Sequence, residues 1–475
     1  MLTTLTAPAF AETWHIENGD ITVKAGDTEG TNKVSQGTII DKVDTNTIIT
    51  NSDKDTASSN TVTIEAKDKD DKVEVTLDNV NIKADFGSAI TSKGDVTLTL
   101  KGDNSLTGGI SDNGSYGLRG ISSNGSLTIT GGETDSLTAQ GGSGTYDGGS
   151  GIYSNSLTIS GGTVNATGGK SGAGIHSGSF TIYGGTVNAK GGNGGNVSGA
   201  GIISDGGVTI SGGTVKAAGG DSKDGYGGDG IRSGGVVTIS GNTVNAAGGN
   251  GGKVGGYGIC SFDRVAISGG TVNAAGGNGG KVGGDGIYSN DIDLSGSLEL
   301  TAKAGSPNGK ALSQNGKELN LDTIKDKLGP GAKVTATDAD GNVIQQVSIP
   351  RPVEPEKPVI PEESSSSSEG GSATPSAPAS PLPGLTVTDK DGQRISYTST
   401  QSGNTLTVCV GRFTASLRAP LSTLRQLRAE GIDTITFQTI LCSTTLSVDE
   451  LLAMGGEDAE AVLTHRLTAS SLTVG

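Results

Sequence analysis

The sequence is poor in aromatic residues and has no long hydrophobic run. Aromatic residues make up 3% of the 475 residues, while glycine accounts for 82 of them. Such a composition would indicate low complexity, but the glycines recur at fixed positions, which favours an ordered repeat. No stretch approaches the roughly 18 to 20 apolar residues of a membrane span, so no membrane insertion is expected.

Cysteine is scarce as well. Cys260, Cys409 and Cys442 form no CxxC pair, which excludes a disulfide framework. Cys260 is interpreted as a space-filling residue of the repeat region. Cys409 and Cys442 lie in apolar, strand-like runs near the C-terminus. The sequence leaves two alternatives for them: a disulfide between them, or two separate buried thiols.

Positive charge is in deficit. The chain has 34 Lys and Arg against 50 Asp and Glu, a net charge of −16. A nucleic-acid-binding surface needs a basic groove that neutralises phosphates, and nothing in the sequence resembles one. Nucleic acid is therefore excluded as a partner, and the acidic residues are interpreted as a solvated surface.

What the sequence does contain is a repeat between residues 151 and 290. Each copy opens with a Gly-Ile-X-Ser box, continues with a segment such as LTIS, and then has a segment such as TVNA followed by Gly-Gly. Successive copies begin 23 to 29 residues apart, which is typical of a stacked-repeat architecture. The opening isoleucines are Ile152, Ile175, Ile202, Ile231, Ile259 and Ile287.

Apolar and polar residues alternate within each copy, and a period of two predicts β-strands. Three short strands separated by glycine corners make one triangular coil of a parallel β-helix. A helical solenoid is excluded, because each interior glycine costs a helix about 1 kcal/mol relative to alanine. A single coil buries too little apolar surface to offset the ordering of its backbone, so the coils must stack. The predicted fold class is all-β.

Composition divides the chain into five segments. Residues 1–11, MLTTLTAPAFA, look like the tail of a secretory signal peptide with an A-x-A pattern, although chance would explain them too. Residues 12–60 are interpreted as an N-terminal cap with the first strands, and residues 61–348 as the β-helix. Nine prolines and a serine run predict a disordered linker over 349–384, which leaves 385–475 as a small α+β domain.

The last domain is predicted from four strand-like and two helical runs. The second helical run has a capping box, Ser447 with Glu450, and Gly455 at its far end. The domain has one histidine, His465, which is interpreted as structural or exposed rather than catalytic. The predicted strands are 385–389, 395–400, 405–411 and 434–440, and the predicted helices are 421–431 and 447–456.

Equivalent positions of stacked coils form columns with a step of about 4.8 Å. The position two residues after the opening isoleucine is serine in eight coils, which predicts a ladder of hydroxyls bonded to backbone at the turn. These serines are Ser92, Ser123, Ser154, Ser177, Ser204, Ser233, Ser261 and Ser289.

The position between that isoleucine and serine points the other way, toward solvent, and it varies from coil to coil. Tyrosine rings stack on the apolar faces of sugars, and their hydroxyls bond to sugar hydroxyls. A row from Tyr153 to Tyr288 would span about 24 Å, enough for several sugar units. The alternative is that the tyrosines only cover loops. In this column and the loops leading into it, the candidate carbohydrate-binding residues are Tyr153, His176, Arg232, Tyr226, Tyr257 and Tyr288.

The outward columns of the other two strands are uniform in Thr and Asn, for example Thr163, Thr186, Asn165 and Asn188. Such ladders stabilise stacked strands by mutual hydrogen bonds. They would also fit the surface of a crystalline polysaccharide, and stability is the favoured interpretation.

Two aspartates, Asp229 and Asp285, occupy the position two before the opening isoleucine and are the candidate metal ligands. Calcium takes 6 to 8 oxygens, and two aspartates separated by a whole coil are about 9.6 Å apart, so loop carboxylates would have to complete a calcium site. The glycine-rich loops differ from the calcium-binding nonapeptide, because Lys253 and Lys281 stand where its aspartate would be.

The run VTLDNVNIKA to VTLTLKGDNSLTGG, followed by coils such as SLTISGGTVNATGG, resembles a bacterial carbohydrate-binding family of right-handed β-helix proteins that look like polysaccharide lyases but are not catalytic. The resemblance covers about residues 60–315. It implies a secreted or cell-surface protein that binds plant cell-wall or acidic polysaccharide, with calcium as an optional cofactor.

Together these observations favour an exported, monomeric protein that binds polysaccharide along one edge of a β-helix. A structural adhesin or spacer of the cell surface is the second hypothesis. A polysaccharide lyase is the third, because the sequence has no Ser/His/Asp set, and Arg119, Arg232 and Arg264 have no evident acidic partners.

Overall fold

The computed structural model describes residues 12–66, 71–350, 384–389, 392–395, 397–402, 404–410, 412, 414–439, 443–456, 459–466 and 469–475. The chain divides into two units, Met1–Val353 and Glu354–Gly475. The predictions for residues 1–11, for Cys442 and for most of the linker 349–384 lie outside the described residues.

The first unit is a right-handed β-solenoid of about 12 turns, as predicted. Each coil of the repeat contributes a first strand at its Gly-Ile-X-Ser box, a second strand at its LTIS segment and a third strand at its TVNA segment. First and second strands belong to one sheet, and third strands to another. Parallel pairing sets Ile175 beside Ile152 and Ile202, so the apolar columns run unbroken from coil to coil.

The strand bounds follow the repeat, and in several coils the first and second strands are continuous. The sheet of first and second strands contains Thr13–His15, Ile21–Ala25, Asn32–Gln36, Ile39–Asp44, Thr47–Thr50, Val62–Glu65, Lys72–Asp78, Ile90–Lys93, Asp95–Lys101, Ile121–Gly131, Ile152–Ile159, Ile175–Ile182, Ile202–Ser204, Val208–Ile210, Ile231–Ser233, Val237–Ile239, Ile259–Ile267, Ile287–Leu294, Leu312–Gln314 and Lys317–Glu318. The sheet of third strands contains Asn81–Lys83, Asp103–Thr107, Ser136–Gln140, Thr163–Thr167, Thr186–Lys190, Thr214–Ala218, Thr243–Ala247, Thr271–Ala275, Glu299–Lys303, Lys333–Thr337 and Val343–Ser348. Two short 3-10 helices are Ile16–Asn18 and Leu321–Lys327.

The corner between the second and third strands requires a left-handed residue. Gly185 and Gly270 have φ of +79° there, and the coil that reads GNT has Asn242 with φ of +63°. Glycine adopts this conformation without steric cost, and asparagine tolerates it better than most residues. The replacement of GGT by GNT therefore keeps the corner.

The corner after the third strand is a stack of glycines. The N–H of Gly256 donates to the carbonyl of Gly249 at 2.9 Å, and the N–H of Gly249 donates to Gly228 of the preceding coil at 2.8 Å. A Cβ added to Gly256 would lie 1.9 Å from the Gly228 carbonyl oxygen. Glycine is needed here because the backbones of adjacent coils touch.

Both ends of the solenoid carry antiparallel strands. Ile21–Ala25 pairs in parallel with Val62–Glu65 and in antiparallel with Asn32–Gln36, so the solenoid already begins within the segment interpreted as a cap. At the other end, Lys333–Thr337 and Val343–Ser348 form a hairpin. These strands cover edges that a terminal parallel strand would offer to another chain.

The interior of the solenoid consists of aliphatic columns. The opening isoleucines from Ile152 to Ile287 are fully buried. Each buried side chain of this kind contributes about 1.5 to 3 kcal/mol relative to an exposed one. The continuous columns are therefore what holds the glycine-rich coils together.

The serine column is buried, as predicted, but its hydrogen bonds vary. Ser204 and Ser233 donate to backbone carbonyls at 2.9 Å and 2.8 Å. Ser92 and Ser123 have no partner among the described residues, so the prediction of a bonded ladder is wrong for these two. The looser early coils do not bring a carbonyl to their hydroxyls.

The second unit is the predicted small α+β domain. Its two four-stranded sheets accompany helices Leu421–Ala429 and Val448–Met454, and Ser447 accepts the predicted capping bond from the Glu450 N–H at 3.4 Å. His465 is fully buried beside Phe437 and is structural. The strands are Thr386–Thr388, Thr398–Ser402, Thr405–Cys409, Thr414–Pro420, Thr434–Gln438, Ser443–Ser447, Glu460–Arg466 and Ala469–Val474.

Neither helix, nor any other helix in the parts of the chain described above, is long and apolar enough to cross a membrane.

Candidate functional site

The outward positions of the first strands form one straight column. Parallel register joins Tyr153 to His176, and joins Cys260 to both Arg232 and Tyr288. Ile203 completes the row between His176 and Arg232. We call this column, with the residues that contact it, the tyrosine edge: Arg119, Tyr153, His176, Ile203, Asp205, Asp229, Arg232, Tyr257, Cys260, Phe262, Asp285 and Tyr288.

One end of the tyrosine edge is a chain of ring and ionic contacts. The Arg119 guanidinium lies 4.1 Å from the centre of the Tyr153 ring, which in turn meets the His176 ring edge to face at 5.3 Å. His176 Nε2 lies 3.3 Å from both carboxylate oxygens of Asp205. One face of Tyr153 is therefore covered by a cation, which has the geometry of a cation–π contact.

The other end of the edge contains a stacked pair. The rings of Tyr257 and Tyr288 are 5.1 Å apart with an interplanar angle of 21°. Tyr257 comes from the loop before the first strand and Tyr288 from the strand of the next coil. Arg232 lies nearby, 3.7 Å from Asp229 and 5.2 Å from the centre of the Phe262 ring. This end therefore combines three aromatic rings with one cation, Arg232, which has an acidic partner in Asp229 although none was evident from the sequence.

Two buried carboxylates lie behind the stacked pair. Asp229 is 7% exposed and Asp285 is 8% exposed. Burial raises the pKa of Asp229 to about 6, against the opposing effects of the Tyr257 N–H and the Arg232 charge. Burial also raises the pKa of Asp285. Removal from water disfavours the charged form of a carboxylic acid, so this part of the edge binds protons more readily than an exposed carboxylate would.

The same burial acts on two weaker acids. It raises the pKa of the Tyr257 hydroxyl to about 12 and that of the Cys260 thiol to about 12, and nearby carboxylates add to both effects. Cys260 is 1% exposed, although its position in the strand points outward. The sequence interpretation of Cys260 as a space-filling residue agrees with this burial, which keeps the thiol protonated and unreactive.

The proposed metal ligands Asp229 and Asp285 have structural partners. Asp229 Oδ1 accepts from the N–H of Tyr257 at 2.8 Å, and Asp285 Oδ1 accepts from the N–H of Lys310 at 2.7 Å. Each aspartate therefore bonds to the equivalent residue of the next coil. Within the described ranges, no group of three or more His, Cys, Asp and Glu side chains is arranged to hold a metal ion.

Tyr226 is the candidate residue that lies apart. It is 52% exposed and belongs to a separate ladder of the glycine-rich loops, with parallel bridges to Val197 and Val254. The prediction placed Tyr226 and Tyr257 in equivalent loops. Tyr257 lies at the end of its loop, directly before the first strand, whereas Tyr226 lies within its loop. Only Tyr257 reaches the column.

Sequence reasoning missed three contacts of the edge: Arg119, Asp205 and Phe262. Arg119 precedes its opening isoleucine, Ile121, by two residues, the position at which Asp229 and Asp285 were singled out. Asp205 follows the serine of its box directly. A column-by-column alignment extended by one residue on each side of the box would have found Arg119 and Asp205.

The asparagines of the third strands form hydrogen-bonded pairs. Asn188 Nδ2 donates to Asn165 Oδ1 at 2.8 Å, and Asn273 Nδ2 donates to Asn245 Oδ1 at 3.0 Å. These bonds join adjacent coils, which is the stabilising role favoured by the sequence.

Comparison with known proteins supports the fold. Residues 157–179, 180–202 and 208–231 match a family model described as a beta helix repeat. Such repeats indicate a polysaccharide-associated or surface protein. No curated protein and no solved structure matches the chain.

Proposed function

We propose that this chain is an exported, non-catalytic, monomeric β-helix protein that binds polysaccharide along the tyrosine edge. The observation that carries the proposal is the register of the first strands, which sets Tyr153 and Tyr288 in one row. Five coil steps separate them, about 24 Å. A row of this length suits an extended sugar chain better than a single small molecule.

The chemistry of the row also suits sugars. The half-buried rings of Tyr153 and Tyr288 and the exposed Arg232 side chain present apolar surface beside hydrogen-bond donors. Sugar rings have apolar C–H faces and hydroxyl rims, and aromatic residues with polar tips are complementary to both. The resemblance to carbohydrate-binding β-helix proteins of bacteria points to plant cell-wall polysaccharide, and the A-x-A pattern of residues 1–11 to export.

The test is binding of the full chain to a glycan array before and after the triple substitution Tyr153→Ala, Tyr257→Ala and Tyr288→Ala. We expect the neutral glycans bound by the parent chain to lose at least ten-fold in signal. The matched control removes three exposed or partly exposed tyrosines outside the edge, Tyr116, Tyr146 and Tyr183. Equal binding by both variants and the parent would remove the edge from consideration, and far-ultraviolet circular dichroism checks that each variant is folded.

The second candidate is a structural spacer of the cell surface. One observation favours it: several aromatic faces of the edge already contact other side chains, because Arg119 covers Tyr153 and Tyr257 covers Tyr288. For a spacer, no glycan on the array would bind the parent chain. A lyase is tested on the same sample with polygalacturonate and calcium, for which we expect no unsaturated product.

A further inference from the structure

The outward face of the third strands contains an open groove of about 720 Å³. It runs along the solenoid from Asn165 to Thr301, which is five coil steps or about 24 Å. We call it the asparagine groove. Its lining consists of amides, methyl groups, two threonines and three ammonium groups: Asn165, Thr167, Asn188, Ala189, Lys190, Lys216, Ala217, Ala218, Asn245, Ala246, Ala247, Asn273, Ala274, Ala275, Thr301 and Lys303.

The groove exists because one column of the third strands changes side-chain size. The outward residue near the end of each strand is Lys190, then Ala218, Ala247 and Ala275, and then Lys303, all in parallel register. The three alanines leave a recessed apolar floor between two long cations. Four coil steps separate the two lysines, about 19 Å.

The neighbouring column supplies polar groups. Lys216 stands where four other coils have asparagine, between the bonded pair Asn165–Asn188 and the bonded pair Asn245–Asn273. It interrupts the ladder, so Asn188 Oδ1 and Asn245 Nδ2 on either side of it are not used by a bond within the described residues. These two amide groups are available to a ligand in the groove.

The charge of the groove is opposite to that of the whole protein. The chain has a net charge of −16, yet no acidic residue lines the groove. Lys190, Lys216 and Lys303 form no ion pair with any residue of the described ranges. The tyrosine edge differs, because carboxylates lie among its arginines. Three unpaired cations over an elongated floor are complementary to a linear anion rather than to a small one.

We propose that the asparagine groove is a second binding site, for a linear carboxylated polysaccharide. The alanine methyl groups contact the C–H faces of the sugars, the asparagine amides bond to hydroxyls, and the lysines pair with carboxylates. An acidic peptide fits less well, because peptides that bind sheets pair with an unpaired strand edge, whereas the third strands are paired on both sides along the groove.

The test measures binding of the full chain to polygalacturonate by isothermal titration. The substitutions Lys190→Gln, Lys216→Gln and Lys303→Gln, made together, should weaken binding at least ten-fold. The control triple, Lys223→Gln, Lys253→Gln and Lys281→Gln, changes the charge equally on the exposed glycine-rich loops and should change binding less than two-fold. Fully methyl-esterified polygalacturonate, the neutral form of the same polymer, should bind the parent chain as weakly as polygalacturonate binds the groove variant.

Two further arms locate and define the site. Ala247→Gln fills the floor without adding charge and should also weaken polygalacturonate binding, whereas the triple tyrosine variant should bind polygalacturonate as the parent does. If the tyrosine variant loses polygalacturonate binding and the groove variant keeps it, the proposal of a second site is wrong and the tyrosine edge is the binding site. Equal losses in the groove and loop variants, or poly-glutamate binding as tight as polygalacturonate binding, would overturn the proposal too.

Discussion

The tyrosine edge and the asparagine groove occupy adjacent faces of the same coils, and they differ in how adjacent coils interact. On the third strands, asparagine amides bond from one coil to the next. On the tyrosine edge, the members of the column are not bonded to one another in this way within the described residues, and the contact between His176 and Asp205 of the next coil is exposed. Ladder residues repeat because the stack needs them. Residues of the edge are free to vary, as His176, Ile203 and Arg232 do, and such freedom is what a binding surface requires.

The largest expected effect comes from breaking the scaffold that both faces share. Gly256→Ala would set a Cβ 1.9 Å from the Gly228 carbonyl oxygen, so adjacent coils would have to separate. We expect the free energy of unfolding to fall by more than about 3 kcal/mol, measured by urea denaturation. Gly195→Ala is the control, because nothing lies within 4 Å of the added Cβ, and its effect should be small. Equal stability of the two variants would contradict the close stacking at the corner.

The second prediction concerns the edge alone. Because burial raises the pKa of Asp229 to about 6, the folded state holds a proton that the unfolded state has released above about pH 4. The contribution of Asp229 to stability is therefore fully present below about pH 4 and is lost as the pH rises through about 6. Asp229→Asn should be more stable than the parent at pH 8, by up to about 3 kcal/mol, with this advantage fading toward pH 4.

Urea denaturation from pH 4 to pH 8 measures that difference. If the difference in the free energy of unfolding between Asp229→Asn and the parent stays constant from pH 4 to pH 8, Asp229 is not buried in the way described.

The third and smallest effect sharpens the contrast between the two faces within one coil. Asn188→Ala removes a bond between coils and should lower the free energy of unfolding by about 1 kcal/mol. His176→Phe, in the same coil but on the tyrosine edge, keeps a ring beside Tyr153 and removes only the contact with the exposed Asp205, so it should cost less than about 0.5 kcal/mol. If thermal melts show a larger loss of stability for the His176 variant than for Asn188→Ala, the tyrosine edge and not the asparagine ladder stabilises the stack.

The sequence predicted the parts of the fold that depend on periodicity. A period of two fixes which side chains face solvent, and the fixed boxes align the coils, so Tyr153 and His176 were expected to be neighbours. The groove was not expected, because its shape depends on the size of three alanines relative to two lysines, in a column that the sequence analysis did not consider.

Other misses have similar causes. The strand Thr414–Pro420 was not predicted. Two of its buried positions are the small residues Ala415 and Ala419, so its apolar period is weak, and the strand leads directly into a helix. Residues 12–60 were interpreted as a cap with the first strands because they have only short apolar patches amid polar residues, and the hairpin Asn32–Asp44 among these strands was not expected. Tyr226 and Tyr257 were grouped by loop position, although only Tyr257 lies next to the first strand.

The register of the tyrosine edge is the claim on which the proposed function depends, and the native Cys260 tests it directly. It pairs in register with Arg232, one coil step or about 4.8 Å away, whereas Ile203 is two steps or about 9.6 Å away. A disulfide needs Cα atoms about 4.4 to 6.8 Å apart. In chains with Cys409→Ser and Cys442→Ser, refolding from urea in a glutathione redox buffer lets Cys260 react before it is buried, and it should form an intramolecular disulfide in the Arg232→Cys variant and none in the Ile203→Cys variant. A disulfide in the Ile203→Cys chain, or none in the Arg232→Cys chain, would contradict the stacked column.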